Sequence, residues 1–113
     1  MTPLELALKY MDCLFETGNL EELRNILCDD LFFIGPLYKF HSADSYLDSL
    51  RNDPPKGFNY RLIKSYGDKT TACLLYQFSK PGISTPMRQL FETRNGKICR
   101  ILLVFDTDKF KKP

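Results

Sequence analysis

The chain has 113 residues, 43% of them apolar and 13% aromatic, with nine Phe, six Tyr and no Trp. At this length one domain, residues 1–113, is expected, with enough apolar side chain to build a core without disulfide or metal staples. A formal charge of +2 from scattered basic residues argues against a nucleic-acid partner, and no apolar run reaches the length of a membrane span.

The densest basic run, Lys109–Phe110–Lys111–Lys112, reads as a solvated C-terminal tail. Cys13, Cys28, Cys73 and Cys99 lie far apart in apolar contexts without a C-x-x-C pair, which reads as four buried free thiols. A single histidine, His41, argues against a His-rich metal site. Thr2-Pro3-Leu4-Glu5 is acidic where a secretory signal is basic. A cytoplasmic protein without metal or cofactor is the expectation.

Thr2, Pro3 and Glu5 form a capping-box start for a first helix. Leu4, Leu8, Met11 and Phe15 line its apolar stripe, with Ala7, Tyr10 and Leu14 beside it, and Gly18 ends it. Asn19 and Glu22 open a shorter helix that buries Leu20, Leu23, Ile26 and Leu27. Leu31–Ile34 is a short strand closed by Gly35–Pro36, and Leu37–Phe40 is a second extended segment. Ser42 caps a third helix, Ala43 to about Asn52, with Tyr46, Leu47 and Leu50 on its apolar face. Pro54–Pro55 cannot continue it.

From Phe58 onward the apolar period is two, giving strands over Phe58–Tyr66 and Thr71–Ser79. Two further strands, Thr85–Arg94 and Ile98–Asp106, meet at Asn95–Gly96, the pair that a tight primed hairpin turn requires. The order predicts an α+β fold: a cone-like curved antiparallel sheet with three helices packed on its concave side. Such a cone leaves an open, partly apolar end.

Four landmarks in this order resemble the nuclear transport factor 2-like superfamily, close to its SnoaL-like branch. They are Tyr10–Leu14 with Gly18–Leu23, Asp29–Phe33 leading to Gly35–Pro36, Phe40–Tyr46, and Asn95–Ile98 running to Phe105–Asp106. The resemblance spans nearly the whole chain and implies a fold that hosts enzymes, ligand binders and interaction modules alike. It also implies where chemistry would sit. Ketosteroid isomerase uses a carboxylate base and two neutral donors that stabilise an enolate. By that likeness Gly35 stands at the base position, Met11 at the donor tyrosine, and Gln89 or Arg88 at the donor acid. In SnoaL-like cyclases an aspartate is implied where Leu103 stands, and the related scytalone dehydratase needs two histidines. The usual catalytic groups are thus unmatched, and no catalytic residue is assigned.

The inferred inner face is apolar and aromatic: Met11, Leu14 and Phe15 as a roof, with Phe33, Tyr38, Tyr46, Leu50, Leu74, Tyr76, Phe78, Gln89, Phe91, Ile101, Leu103 and Phe105 around it. These side chains either fill the core or line a small hydrophobic pocket with Gln89 and tyrosine hydroxyls as its polar contacts. The leading expectation is a small hydrophobic ligand bound there. The alternatives are an isomerase, cyclase or dehydratase using Asp12, Tyr38, His41 or Asp106, and a dimeric protein-interaction module. His41 reads as a surface or turn residue and Asp106 as a cap. Arg88 and Glu92 share a strand face and can pair, unless burial beneath Tyr60 makes Arg88 a ligand anchor. Ile98, Leu102 and Val104 are expected on the outer sheet face, where an exposed apolar surface points to a homodimer.

Overall fold

Six strands form one curved, open sheet that carries its helices on the concave face in the computed structural model, which describes residues 1–110. In chain order the elements are α1 (Pro3–Asp12), a π-turn (Cys13–Thr17), α2 (Leu20–Asn25), β1 (Leu27–Ile34), β2 (Lys39–Phe40), α3 (Ala43–Asn52), β3 (Asn59–Gly67), β4 (Thr71–Lys80), β5 (Ile83–Arg94), β6 (Lys97–Phe105) and a 3₁₀ turn (Thr107–Phe110). The strands lie in the order β2-β1-β6-β5-β4-β3. Every neighbouring pair is antiparallel except β1 beside β6, which is parallel. A hairpin forces antiparallel pairing, whereas β1 enters from α2 and meets β6 across most of the chain, so no turn fixes its direction. Among the described residues no helix is long and apolar enough to cross a membrane. Lys111 and Lys112 of the basic tail lie outside the described residues.

The capping box at α1 is formed: Glu5 N–H donates to Thr2 Oγ1 at 3.1 Å, and Thr2 N–H to Glu5 Oε1 at 2.8 Å. The buried stripe differs from the expected one. Leu6, Ala7, Tyr10 and Met11 are buried, while Leu8 is 36% exposed, so the helix is turned by about one residue. After Asp12 the helix widens into the π-turn, and Gly18, at φ +65°, closes it by donating to the Cys13 carbonyl at 3.0 Å. A π-turn holds one residue more than an α-turn, which shifts the positions beyond it around the axis. Leu14 and Phe15 both overhang the sheet as a result.

Ile26 and Leu27, expected in the second helix, instead lead into β1; Ile98 N–H donates to the Ile26 carbonyl at 2.8 Å. The register then passes from Leu27 opposite Ile98 to Phe32 opposite Arg100, so β1 bulges over Cys28–Leu31. This bulge sets Cys28 against Cys99 with their Cα atoms 4.9 Å apart, and the two form a disulfide. The expectation of four free thiols is corrected by that pairing; Cys13 and Cys73 are the free ones among the described residues. Nothing local could have signalled it, because the partners are 71 residues apart.

The β5–β6 turn is the primed hairpin, with Asn95 at φ 54° and Gly96 at φ 75°. A bulge follows between Glu92 and Thr93. It turns Ile98 into the core, where it is fully buried, so Ile98 does not belong to the outer face. The inner face carries Ala72, Leu74, Tyr76 and Phe78 from β4, Met87, Gln89 and Phe91 from β5, and Ile101 from β6, all buried. Burying a phenylalanine as completely as Phe91 contributes about 3 kcal/mol. On the outer face, the row Leu75–Arg88–Val104 runs beside Cys73–Leu90–Leu102. Arg88 is therefore solvent-exposed and points away from the cone, which removes it as a ligand anchor. Glu92 lies 3.9 Å from Arg100 on β6 rather than against Arg88.

Candidate functional site

A cavity of about 190 Å³ lies between α3, the end of α1 and the inner face of the sheet. Its long direction is set by two elements. Along α3 it is lined by Tyr46, Ser49, Leu50 and Asp53, the i, i+3, i+4, i+7 face of one helix. Along β4 it is lined by Tyr76, Phe78 and Lys80, alternate residues of one strand face. Tyr46 and Tyr76 mark the deep end, and Asp53 and Lys80 mark the mouth.

The deep end holds a chain of polar groups in an otherwise apolar wall. Tyr76 Oη donates to Gln89 Oε1 at 2.7 Å. The Gln89 amide also acts on the Tyr10 phenol, where its influence lowers the pKa that burial raises. Tyr10 and Tyr46 are in turn hydrogen-bonded through their hydroxyls. Both side chains are buried, at 1% and 4% exposure, and either hydroxyl can donate to the other. The bond uses one of the pair's two protons and keeps the other for a group in the cavity that both residues line. Among the described residues, no buried side-chain polar atom lacks a partner.

Burial pushes the phenols of Tyr10, Tyr46 and Tyr76 well above their ordinary value of 10. The Tyr10–Tyr46 bond adds to that rise at Tyr10 and works against it at Tyr46. All three are neutral donors at any physiological pH. Rings hold them in place: Tyr46 stacks on Phe33 with centroids 5.0 Å apart, and Tyr10 meets Phe91 edge-on at 5.2 Å.

The mouth is built differently. Asp53 is the exposed C-terminal cap of α3. Across from it, Lys80 Nζ sits 5.4 Å from the ring centroids of both Phe58 and Phe110. Phe110, expected in a solvated tail, instead packs on Phe105 with centroids 4.9 Å apart and lines the mouth.

Of the residues assigned to the pocket from sequence, Leu14, Phe15, Phe33, Tyr38, Tyr46, Leu50, Tyr76, Phe78, Gln89, Leu103 and Phe105 line this cavity. Met11, Leu74, Phe91 and Ile101 do not; they are fully buried in the core beneath it. Tyr10, Phe40, Ser49, Asp53, Pro55, Phe58, Lys80, Met87 and Phe110 line it without having been assigned. Tyr10, beside the expected apolar stripe of the first helix, lies at the cavity because the π-turn follows it. Counting back from Gly18 in α-helical steps lands on Met11, whereas the extra residue in the turn puts Tyr10 over the cavity. Strand alternation could have identified Lys80, two residues beyond Phe78 on the same face.

Candidate acid–base residues lie elsewhere or only at the rim. Asp12 is exposed, His41 is exposed with its ring against Phe32, and Asp106 accepts from Asp108 N–H at 2.9 Å as a turn residue. Tyr38 lines the rim and is 56% exposed. At Gly35 an added Cβ would stand 3.3 Å from Phe33 and 3.8 Å from Leu103, so the missing side chain is one that would enter the cone. Among the described residues no group of three His, Cys, Asp or Glu side chains is placed to hold a metal ion.

No family model matches the sequence, and no curated protein matches it significantly. Solved structures match its fold closely. A nuclear transport factor 2-like protein of unknown function from Cytophaga hutchinsonii superposes with a TM-score of 0.84 at 21% identity, over 97% of this chain and 95% of that one. The chain has the nuclear transport factor 2-like fold. A proposed ketosteroid isomerase from Kribbella flavida superposes at 0.82 and 18% identity, over 98% of this chain and 81% of its own. A proposed isomerase of the SnoaL-like family from Agrobacterium tumefaciens gives 0.71 at 15% identity, over 92% and 97%. At these identities the likeness is one of fold, and activity must be argued from the site.

Proposed function

We propose that this nuclear transport factor 2-like domain binds a small, mainly apolar molecule in its cone and receives one oxygen of that molecule at the Tyr46 hydroxyl. The observation that carries the reading is the buried chain of polar side chains, Tyr76 bonded to Gln89 and Tyr10 bonded to Tyr46, which lines a cavity walled by aromatic rings. Such a chain is costly to bury unless fully paired. The phenol proton that the Tyr10–Tyr46 bond does not use suits a carbonyl or similar acceptor. The cavity volume suits one substituted ring; a dry apolar cavity of about 150 Å³ already holds benzene. A carboxylate base inside the cone is not part of this reading, since the lining carries its only carboxylate, Asp53, at the exposed rim. Acetophenone is a suitable probe: titrated into isotopically labelled protein, it should move the resonances of Tyr46, Phe33 and Leu50 and leave those of exposed β3 residues in place. Unchanged spectra at millimolar probe would sink the reading.

The outer sheet face supports a second element, a homodimer. Leu75, Leu90 and Leu102 are only half-buried there, and Val104 is 51% exposed with no helix over it. Light scattering at micromolar concentration should give twice the chain mass; a clean 13.2 kDa species would remove the claim. The free-thiol ground for a cytoplasmic location now covers only Cys13 and Cys73, because Cys28 and Cys99 are bonded.

A further inference from the structure

The mouth of the cavity carries a cation, Lys80, that has no ion-pair partner among the described residues. Lys80 is half-buried, lines the cavity, and is held between two aromatic rings, Phe58 and Phe110, with Nζ 5.4 Å from each centroid. Among the described residues no carboxylate lies within ion-pair distance of it; Asp53, the other charged group of the lining, does not reach it. Ring faces satisfy an ammonium only in part and leave it able to take an anion. Asp53 is exposed and water-screened, whereas Lys80 is flanked by hydrocarbon, so the field inside the mouth is dominated by the lysine.

We infer that the ligand is an amphipathic monocarboxylate: an apolar body in the cone, an acceptor oxygen at Tyr46, and a carboxylate at Lys80. This rests on the reading of the cone as a ligand site and adds the class of molecule. Four residues of β4 separate Tyr76 at the deep end from Lys80 at the mouth, roughly 13 Å at about 3.3 Å per residue. Seven residues of α3 separate Tyr46 from Asp53, about 10 Å at 1.5 Å per residue. One aromatic ring with a carbonyl at one end and a short acid chain at the other spans that range. A carboxylate that reaches the Lys80 ammonium at the mouth can take a charge-assisted hydrogen bond there.

The test uses 3-(4-acetylphenyl)propanoate, its neutral carboxamide and the matching primary amine, titrated calorimetrically into the intact protein at low salt. The acid should bind roughly tenfold more tightly than the amide. Lys80→Met should abolish that difference, read as the acid-to-amide affinity ratio within each protein, and Asp53→Asn should preserve or increase it. Acid and amide binding equally would overturn the inference while leaving the cone as a ligand site. Tightest binding of the amine would overturn it in favour of Asp53. Failure of all three to bind, with acetophenone also inert, would remove the underlying reading itself. Should Lys80→Met disturb folding, Lys80→Gln in the same comparison answers the question.

Discussion

The two faces of the β4–β5–β6 sheet share a backbone and differ in nearly everything else. On the inner face Gln89 is 3% exposed and bonded to Tyr76; one residue away on the outer face, Arg88 is exposed and lies in a row with Leu75 and Val104. Phe91 is sealed into the core, while its neighbour Leu90 is only half-buried. Inward positions are fixed by packing and polar pairing, so each tolerates little change. Outward positions have no helix over them among the described residues, so their apolar side chains are less constrained by packing.

Substitutions on paired positions should expose that contrast. Phe91→Ala should cost about 3–5 kcal/mol in chemical denaturation, and Leu90→Ala about 1 kcal/mol for a half-buried site. Comparable losses at the two would mean that the outer face is covered within the monomer.

Alkaline pH should probe the inner face next. The folded pKa values of Tyr10, Tyr46 and Tyr76 lie above the ordinary 10, so the native state keeps protons that the unfolded chain releases. Their contribution is therefore complete below pH 10 and is lost as pH rises above it. Each phenol should remove about 1.4 kcal/mol of stability per pH unit there. Denaturant midpoints between pH 9.5 and 11.5 would follow this, and Tyr46→Phe should reduce the slope by about one phenol's share. A flat profile would mean that the three hydroxyls are not held in a dry site.

Smaller effects should separate Gln89 from Arg88. Gln89→Leu leaves the Tyr76 hydroxyl without its acceptor and should cost about 1–3 kcal/mol. Arg88→Leu should stay within about 0.5 kcal/mol in the monomer but change its tendency to self-associate. At the hairpin turn, Gly96→Ala forces a side chain into φ 75° and should cost about 1 kcal/mol, equally for both faces.

Fold was legible in the sequence wherever the signal is local. The capping box at Thr2, the cap at Ser42 and the Asn95–Gly96 turn each stand where their chemistry requires. Alternation along β4 and β5 likewise put Tyr76, Phe78 and Gln89 on the inner face. What the sequence did not show depends on register or on distant partners. The π-turn moved Tyr10 into the place where α-helical counting puts Met11, and the bulges in β1 and β5–β6 buried Ile98 and joined Cys28 to Cys99. The mouth of the cavity was hidden for another reason. Phe110 and Lys80 come from a terminus and a strand end, and only the folded chain brings them to Phe58.

The central claim is that the Tyr46 hydroxyl is the polar contact at the deep end of the cone, beside the apolar body of a guest. Calorimetric titration of acetophenone and toluene into the wild type and Tyr46→Phe tests it directly, with thermal melts confirming that both proteins are folded. The account predicts that acetophenone loses about fivefold to tenfold in affinity on substitution while toluene binds both proteins alike. Equal affinity of acetophenone for the two proteins would contradict it.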